Sequence, residues 1–240
     1  MSNNASAPLA PACLGIVLDG NRRSAKAKGG TAQDGHLAGY YKFKEFLGWA
    51  KEAGVKAVIA YVFSTENWER DPVEVAFIMN LFRRALGEEL DELHNKGVKV
   101  SVLGDMRRLP HDISELVRRA QRKTERNGAF HLGLAFSYGG RAEIVSAAKS
   151  FMAEWMNHRK SWSTLTEKDF EKHLWTAVAG FPDPDLILRP GVEKRPSNFL
   201  LWQRAYAEDI FLDTLWPDFT KEDFDGVLAE FSARKRRHGK

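Results

Sequence analysis

Short apolar runs alternate along this chain with longer stretches of helical period, and that alternation restricts the fold more than any other feature. The runs at residues 14–18, 57–63, 98–103, 130–136 and 185–188 have the length and β-branched content of strands buried on both faces. Between the second and third runs, Val75, Ile78, Met79, Phe82, Leu86, Leu90 and Leu93 recur at three- and four-residue steps. They predict one helix, opened by Asp71 and Pro72 and closed by Gly97. Similar periods cover residues 37–53, 113–126, 142–155, 167–176 and 223–233. The expectation is a single α/β domain, a mostly parallel sheet flanked by helices.

Composition closes off other classes. With 43% hydrophobic and 11% aromatic residues the chain can bury a core, which excludes a disordered segment. One cysteine, Cys13, excludes a disulfide framework or a multi-cysteine metal centre and suits a reducing, cytoplasmic compartment. Residues 1–12 lack the basic and apolar regions of a signal peptide and read as a flexible tail, leaving 13–240 as the folded domain. The formal charge is +4, yet five cations lie in residues 234–240, and without them the balance is −1. A basic end of this kind suits an anionic substrate or a membrane surface, and no nucleic-acid partner is expected.

In parallel sheets, chemistry gathers beyond the carboxyl ends of the strands. Four clusters fall there: residues 19–23, 64–70, 138–141 and 189–198. Asp-Gly-Asn by itself reads as a turn. Together, however, the clusters bring Arg23, Arg70, Arg189 and Arg195 toward one rim, and arginines with serine hydroxyls and helix-start N–H groups can cradle a polyphosphate. Asp19, the only acid of the first cluster, is a candidate ligand for Mg²⁺ between carboxylate and phosphate. A nucleotide-type glycine-rich phosphate loop is missing, as are a zinc-protease His-Glu-x-x-His and a paired-aspartate motif.

The motifs in sequence are Asp19-Gly20-Asn21-x-Arg23, Gly35-His36-x-x-Gly39, Phe63-Ser64-Thr65-Glu66-Asn67-Trp68-x-Arg70, Tyr138-Gly139-Gly140-Arg141-x-Glu143-Ile144, Pro184-Asp185-Leu186-Ile187-x-Arg189 and Glu193-x-Arg195-x-Ser197-Asn198-Phe199-Leu200-Leu201-Trp202-Gln203. In this order they resemble the cis-prenyltransferase family, of the undecaprenyl diphosphate synthase type. The motif Leu215-Trp216-Pro217-Asp218-Phe219 and the Arg-Arg-His-Gly end at 236–239 are similar to it as well. The resemblance implies a homodimer or heterodimer, a homodimer being expected here, a six-stranded, mostly parallel sheet with a hydrophobic tunnel, and Mg²⁺-dependent addition of isopentenyl diphosphate to an allylic diphosphate with Z geometry. The lipid product would allow peripheral membrane contact.

Carried over by position, Asp19 would handle Mg²⁺ and diphosphate, with Glu208 completing the metal site. Gly20, Asn21, Arg22, Arg23 and Ser24 would line the allylic pocket beside His36. Ser64, Thr65, Glu66, Trp68 and Arg70 would frame the reacting groups, and Arg189, Arg195, Pro196 and Ser197 would grip isopentenyl diphosphate. Asn67 matches the position assigned to proton removal; a neutral amide has negligible basicity, so Asn67 is expected to orient substrate while a diphosphate oxygen or His36 takes the proton.

Three places depart from the family pattern. Ser24 replaces an aromatic residue, Ala32 replaces an arginine, and Pro190-Gly191-Val192 follows Arg189. An Arg-Pro-Gly run also occurs in relatives that join five-carbon units irregularly and cyclise them. A chain-elongating synthase, a short-chain or irregular one, and a non-catalytic partner subunit therefore stand as alternatives, in that order. Val62, with Leu132, Leu134 and Phe136 on one strand face, is expected to line the tunnel and limit the product to medium length.

Overall fold

The computed structural model describes residues 10–158 and 162–234. Six strands form one sheet: β1 (Cys13–Val17), β2 (Ala57–Ser64), β3 (Val98–Leu103), β4 (Phe130–Tyr138), β5 (Leu186–Pro190) and β6 (Glu208–Leu212), in the order β3-β4-β2-β1-β5-β6. All five pairings are parallel. β6 has no counterpart among the five apolar runs. It opens on two acids, Glu208 and Asp209, and as an edge strand it needs less apolar character than a central one.

The helices are α1 (Asn21–Ala27), α2 (Ala32–Glu52), α3 (Pro72–Gly87), α4 (Leu90–Asn95), α5 (His111–Thr124), α6 (Gly140–His158), α7 (Glu167–Glu171), α8 (Trp175–Ala179) and α9 (Lys221–Ala233). Local chemistry sets several starts. Thr31 with Asp34, and Thr220 with Asp223, form reciprocal capping boxes at α2 and α9. The Asp71 carboxylate accepts from the N–H groups of Val73 and Glu74, with Pro72 following as the first helical residue of α3.

Two expected helices are broken. The stripe from Val75 to Leu93 divides into α3 and α4 because Glu89 is drawn back at the break, accepting from Tyr40 (2.7 Å) and Arg84 (3.1 Å) and pairing with Lys44 (2.9 Å). The stretch at 167–176 divides into α7 and α8, since His173 and Leu174 bond back three residues and the Thr176 N–H is given to Glu143.

Side-chain alternation sends each strand into two cores. Leu14 and Ile16 pack with Phe46, Phe82, Val117 and Phe224 on one face. Cys13 and Val17 pack with Tyr61, Phe181 and Phe199 on the other. Both faces being covered, the loops at the carboxyl ends are left as the concave, reachable surface. With β2 on one side of β1 and β5 on the other, the loops leaving those three strands frame a single opening.

Candidate active site

That opening is a cleft of about 940 Å³ lined from β1 and α1, from β2 and its loop, from α2 and α3, and from β5 and the segment after it. Asp19 stands at its centre, directly after β1. Its N–H bonds back to the Val17 carbonyl (3.0 Å) and its own carbonyl accepts from Trp216 (2.9 Å), so the backbone is held on both sides. Gly20 follows with φ 106° against Leu215, a conformation and a clearance that favour glycine.

The Asp19 carboxylate is held by two arginines: Arg23 Nη2 on Oδ1 (2.9 Å) and Arg189 Nη2 on Oδ2 (2.7 Å). Arg189, only 5% exposed, also donates through Nη1 to Ser197 Oγ (2.7 Å) and to the Arg195 carbonyl. Its Nε is buried with no protein partner. Gly191, at φ 118°, backs Asp19 so closely that a Cβ would lie 3.1 Å from the Asp19 Cβ. A buried guanidinium with donor capacity to spare, beside a partly exposed second one, is an anion-binding arrangement.

A second charge cluster forms the other wall. His36 Nε2 donates to Glu74 Oε1 (2.9 Å), Arg70 Nη1 donates to the same oxygen (2.9 Å), and Arg22 Nε lies 3.7 Å from Oε2. Burial pushes the Glu74 carboxyl up, but the His36 hydrogen bond and the charges of Arg70 and Arg22 outweigh it and hold the group below its ordinary 4.5. Burial lowers the His36 imidazole below its ordinary 6.5, against the pull of Glu74. The hydrogen bond to Glu74 leaves Nδ1 as the ring's acceptor.

The β2 loop closes on itself. Asn67 Oδ1 accepts from the Ser64 N–H (3.1 Å) and Ser64 Oγ accepts from the Asn67 N–H (3.2 Å). The bond to Ser64 fixes the orientation of the Asn67 amide, whose Nδ2 donors can orient a substrate, and a neutral amide has too little basicity to remove a proton. Glu66 accepts from Asn198 Nδ2 (3.0 Å), while Asn198 Oδ1 and carbonyl accept from the N–H groups of Arg141 (2.9 Å) and Gly140 (2.7 Å). Ser197, Asn198 and Leu200 have φ of 47°, 63° and 46°. Such left-handed non-glycine residues cost of order 1–3 kcal/mol each and concentrate at functional sites.

The cleft therefore brings together Asp19, Gly20, Asn21, Arg22, Arg23, His36, Ser64, Glu66, Asn67, Arg70, Arg189 and Ser197. Other expected site residues stand elsewhere. Ser24 is buried away from the cleft, donating to Asp218 (2.8 Å), because the α1 turn points it at the 3-10 segment Trp216–Asp218. Thr65 gives its N–H to the Tyr138 carbonyl, and Trp68 bonds Ser137 and packs on Phe63, so both support the wall from behind. The Arg195 side chain turns outward to Glu193 (2.7 Å), and Pro196 is exposed beside it; three arginines of the expected four reach the cleft.

Glu208, expected to complete the metal site from or across a dimer interface, does not reach Asp19 of its own chain. Parallel register sets it beside Leu186, and Leu186 beside Leu14, at the amino ends of the strands, whereas Asp19 follows a carboxyl end. It pairs instead with Arg234 (2.8 Å). The end at 236–239 and the tail at 1–9 lie outside the described residues.

The apolar lining consists of Val17, Leu18, Tyr61, Val62 and Ile78. Val62 lies there as expected, but Leu132, Leu134 and Phe136 sit in the close-packed core at 2, 6 and 1% exposure. Phe136 stacks on Phe82 (4.0 Å) and Phe63 (5.1 Å), which fills the place assigned to a tunnel floor.

Lys26 and Asn198 line the cleft, and Glu74 and Gly191 back it through Arg70 and Asp19, without having been assigned roles from sequence. Arg70 and Glu74 are four apart, a spacing that signals a pair but reads equally as ordinary helix-start charge.

The histidine has a measurable consequence. The unfolded chain protonates His36 near pH 6.5 and the native site resists it, so the unfolded state binds more protons and stability falls as pH drops from 7.5 to 5.5. His131, lowered to about 4 by burial and by Lys99, adds in the same direction. Glu74, held low, loses its contribution only at more acid pH. His36→Gln keeps a donor to Glu74 and should show a smaller fall in urea midpoint over that interval than the parent. Equal falls in both proteins would remove His36 from the account.

Compared with known proteins, residues 17–239 match the family model described as putative undecaprenyl diphosphate synthase. A tritrans,polycis-undecaprenyl-diphosphate synthase (geranylgeranyl-diphosphate specific) of Picrophilus torridus is 40% identical over 95% of this chain and 90% of its own length. Lavandulyl diphosphate synthase of Lavandula x intermedia, solved with dimethylallyl diphosphate, superposes with TM-score 0.91 at 34% identity, covering 96% of this chain and 98% of that one. A probable undecaprenyl diphosphate synthase of Campylobacter jejuni superposes with TM-score 0.78 at 33% identity, over 97% and 100% of the two chains.

Proposed function

Since the chain belongs to the undecaprenyl diphosphate synthase family of cis-prenyltransferases, we propose the following assignment of its cleft to that family's reaction. The enzyme is a prenyltransferase that condenses isopentenyl diphosphate with an allylic diphosphate to give a cis-polyprenyl diphosphate. The observation that carries the assignment is the joining of Arg23, Arg70 and Arg189, the partly exposed Asp19 carboxylate and an apolar lining in a single cleft.

Arg22, Arg23 and Lys26 hold the allylic diphosphate with Asn21 and the Gly20 backbone; Arg189 and Ser197 hold that of isopentenyl diphosphate. The allylic C–O bond breaks, the isopentenyl double bond attacks the freed carbon, and a proton is lost from isopentenyl. Guanidinium groups aimed at the departing diphosphate stabilise the charge it gains. Asn67 orients the isopentenyl group, and a diphosphate oxygen takes the proton. Val17, Leu18, Tyr61, Val62 and Ile78 keep water from the allylic cation and bury the chain, at about 0.8 kcal/mol per methylene.

Among the described residues no cluster of three or more His, Cys, Asp or Glu could hold a metal. Asp19 by itself fits Mg²⁺, which takes one or two carboxylates and completes its shell with water and substrate phosphate. When bound, the ion adds positive charge to the leaving group. A homodimer is part of the reading, supported by Val145, Met152 and Met156, exposed at 54, 52 and 72% along α6. No described helix is long and apolar enough to cross a membrane; peripheral contact would come through the lipid product.

Incubating the protein with labelled isopentenyl diphosphate, Mg²⁺ and allylic primers of several lengths, then sizing the products, tests the assignment. Failure to incorporate label with every primer would overturn it. A short-chain or irregular synthase is the second reading, favoured by the stacked phenylalanines beside a short apolar lining and by the likeness to lavandulyl diphosphate synthase. The product sizes separate the two. Under the first reading a medium-length product is expected, and Val62→Ala should lengthen the distribution. An unchanged distribution would remove Val62 as a wall of the product path.

A further inference from the structure

Behind the cleft, on the far side of the segment that carries Ser197 and Asn198, lies a buried polar group that touches no part of the cleft. Gln203 is 2% exposed and its Nε2 donates to Glu143 Oε2 (3.0 Å) and Thr176 Oγ1 (2.8 Å). Glu143 is 1% exposed and also accepts from the Tyr138 hydroxyl and from the Thr176 N–H (3.2 Å). All its partners are donors, which suits a carboxylate in the first turn of α6 and at the start of α8. The carboxylate dictates the amide's orientation, since a turned amide would set oxygen against oxygen. In consequence Gln203 Oε1 is buried with no protein partner. A side chain serving packing alone would be apolar at this position.

Gln203 lies three residues beyond the last of the left-handed residues Ser197, Asn198 and Leu200, and Arg204 N–H bonds back to the Leu200 carbonyl (3.0 Å). Three such residues in four persist only where their surroundings over-determine the backbone. The front of the segment is tied by Asn198 to Glu66 and the start of α6, its middle by Phe199 stacked on Tyr61 at 4.7 Å, and its rear by Gln203. The rear tie matters to the anion pocket, because Ser197 Oγ and the Arg195 carbonyl hold the Arg189 guanidinium.

We infer that Gln203 is a positioning residue for diphosphate binding: through Glu143 and Thr176 it locks the strained 197–200 turn that presents Ser197 and aims Arg189. The inference rests on the prenyltransferase reading for its substrate but not for its geometry. It acts at the isopentenyl side, so the two substrates should respond differently.

The test measures steady-state kinetics for each substrate separately, and calorimetric binding of inorganic pyrophosphate, in the parent, Gln203→Leu, Gln203→Glu and the reciprocal swap Glu143→Gln with Gln203→Glu. In Gln203→Leu the KM for isopentenyl diphosphate and the Kd for pyrophosphate should each rise about tenfold, with the allylic KM unchanged. Gln203→Glu sets two carboxylates together and should be worse. The swap restores a donor facing a carboxylate and should return binding to within about threefold of the parent. Unchanged KM in a folded Gln203→Leu, equal losses for both substrates, or a swap as impaired as Gln203→Glu would each overturn the inference. Should Gln203→Leu fail to fold, the swap against Gln203→Glu decides. A parent inactive with every primer would sink the reaction, and pyrophosphate binding would still test the lock.

Discussion

Asp19→Ala should lower turnover by about 10³-fold, or ~4 kcal/mol in the barrier, with the fold retained. The expectation follows from what Asp19 touches. Its two oxygens fix Arg23 and Arg189, which the proposed function assigns to the two diphosphate pockets, and under that proposal it is the carboxylate that would hold Mg²⁺. Removing it at once frees both arginines and deletes the ion's protein ligand. The side chain lies beyond the end of β1 and is 23% exposed, so the apolar core is untouched and the fold is kept, while the buried Arg189 loses its carboxylate and the melting midpoint should fall. Label incorporation at saturating Mg²⁺, followed with circular dichroism, reads both halves. Normal turnover in the variant, or in the parent under chelator, would end the metal assignment.

A second large effect is expected from a single methyl group. A Cβ at Gly35 would lie 2.2 Å from the Asn21 carbonyl oxygen, and one at Gly39 would lie 2.2 Å from Asn21 Oδ1. The first of these is a backbone atom that cannot swing aside, so in Gly35→Ala α1 would have to move off α2, taking Arg22 and Arg23 with it. Gly35→Ala should therefore cost about 3 kcal/mol of stability and most of the activity. Gly48 provides the control on the same helix: a Cβ there meets nothing within 4 Å. Gly48→Ala should stabilise by about 0.5–1 kcal/mol through helix propensity. Matching urea midpoints for the two variants would refute the close-packing account of α1.

Much of the framework was readable in the residues. The five apolar runs became β1 to β5 because strands buried on both faces need continuous apolar sequence, and the capped, periodic stretches became helices for equally local reasons. The limits were also local. α1, at seven residues, is too short to show a stripe, and its Asp-Gly-Asn start has the form of a turn. β6 opens on acids, and the breaks between α3 and α4 and between α7 and α8 are made by partners distant in sequence, Tyr40 and Lys44 for one and Glu143 for the other.

For the site, residue type and strand-end position identified Asp19, Arg23, Arg70, Arg189 and the Ser64–Asn67 turn, since diphosphate chemistry needs cations and hydroxyls at loops. The resemblance of several ordered motifs supplied the family. Direction was beyond either. Ser24 and Arg195 have suitable chemistry but point away, toward Asp218 and Glu193, and Glu208 lies at the amino end of its strand, away from Asp19 of its own chain. Glu74 and Gln203 are ordinary letters in a row whose importance comes only from what surrounds them. Sequence by itself determined which chemistry the chain carries and the order of its elements, because periodicity and residue type are local properties. Tertiary structure alone decided which groups meet, because a contact depends on side-chain direction and on distant partners, 170 positions away for Arg189 and Asp19 and 194 for Ser24 and Asp218.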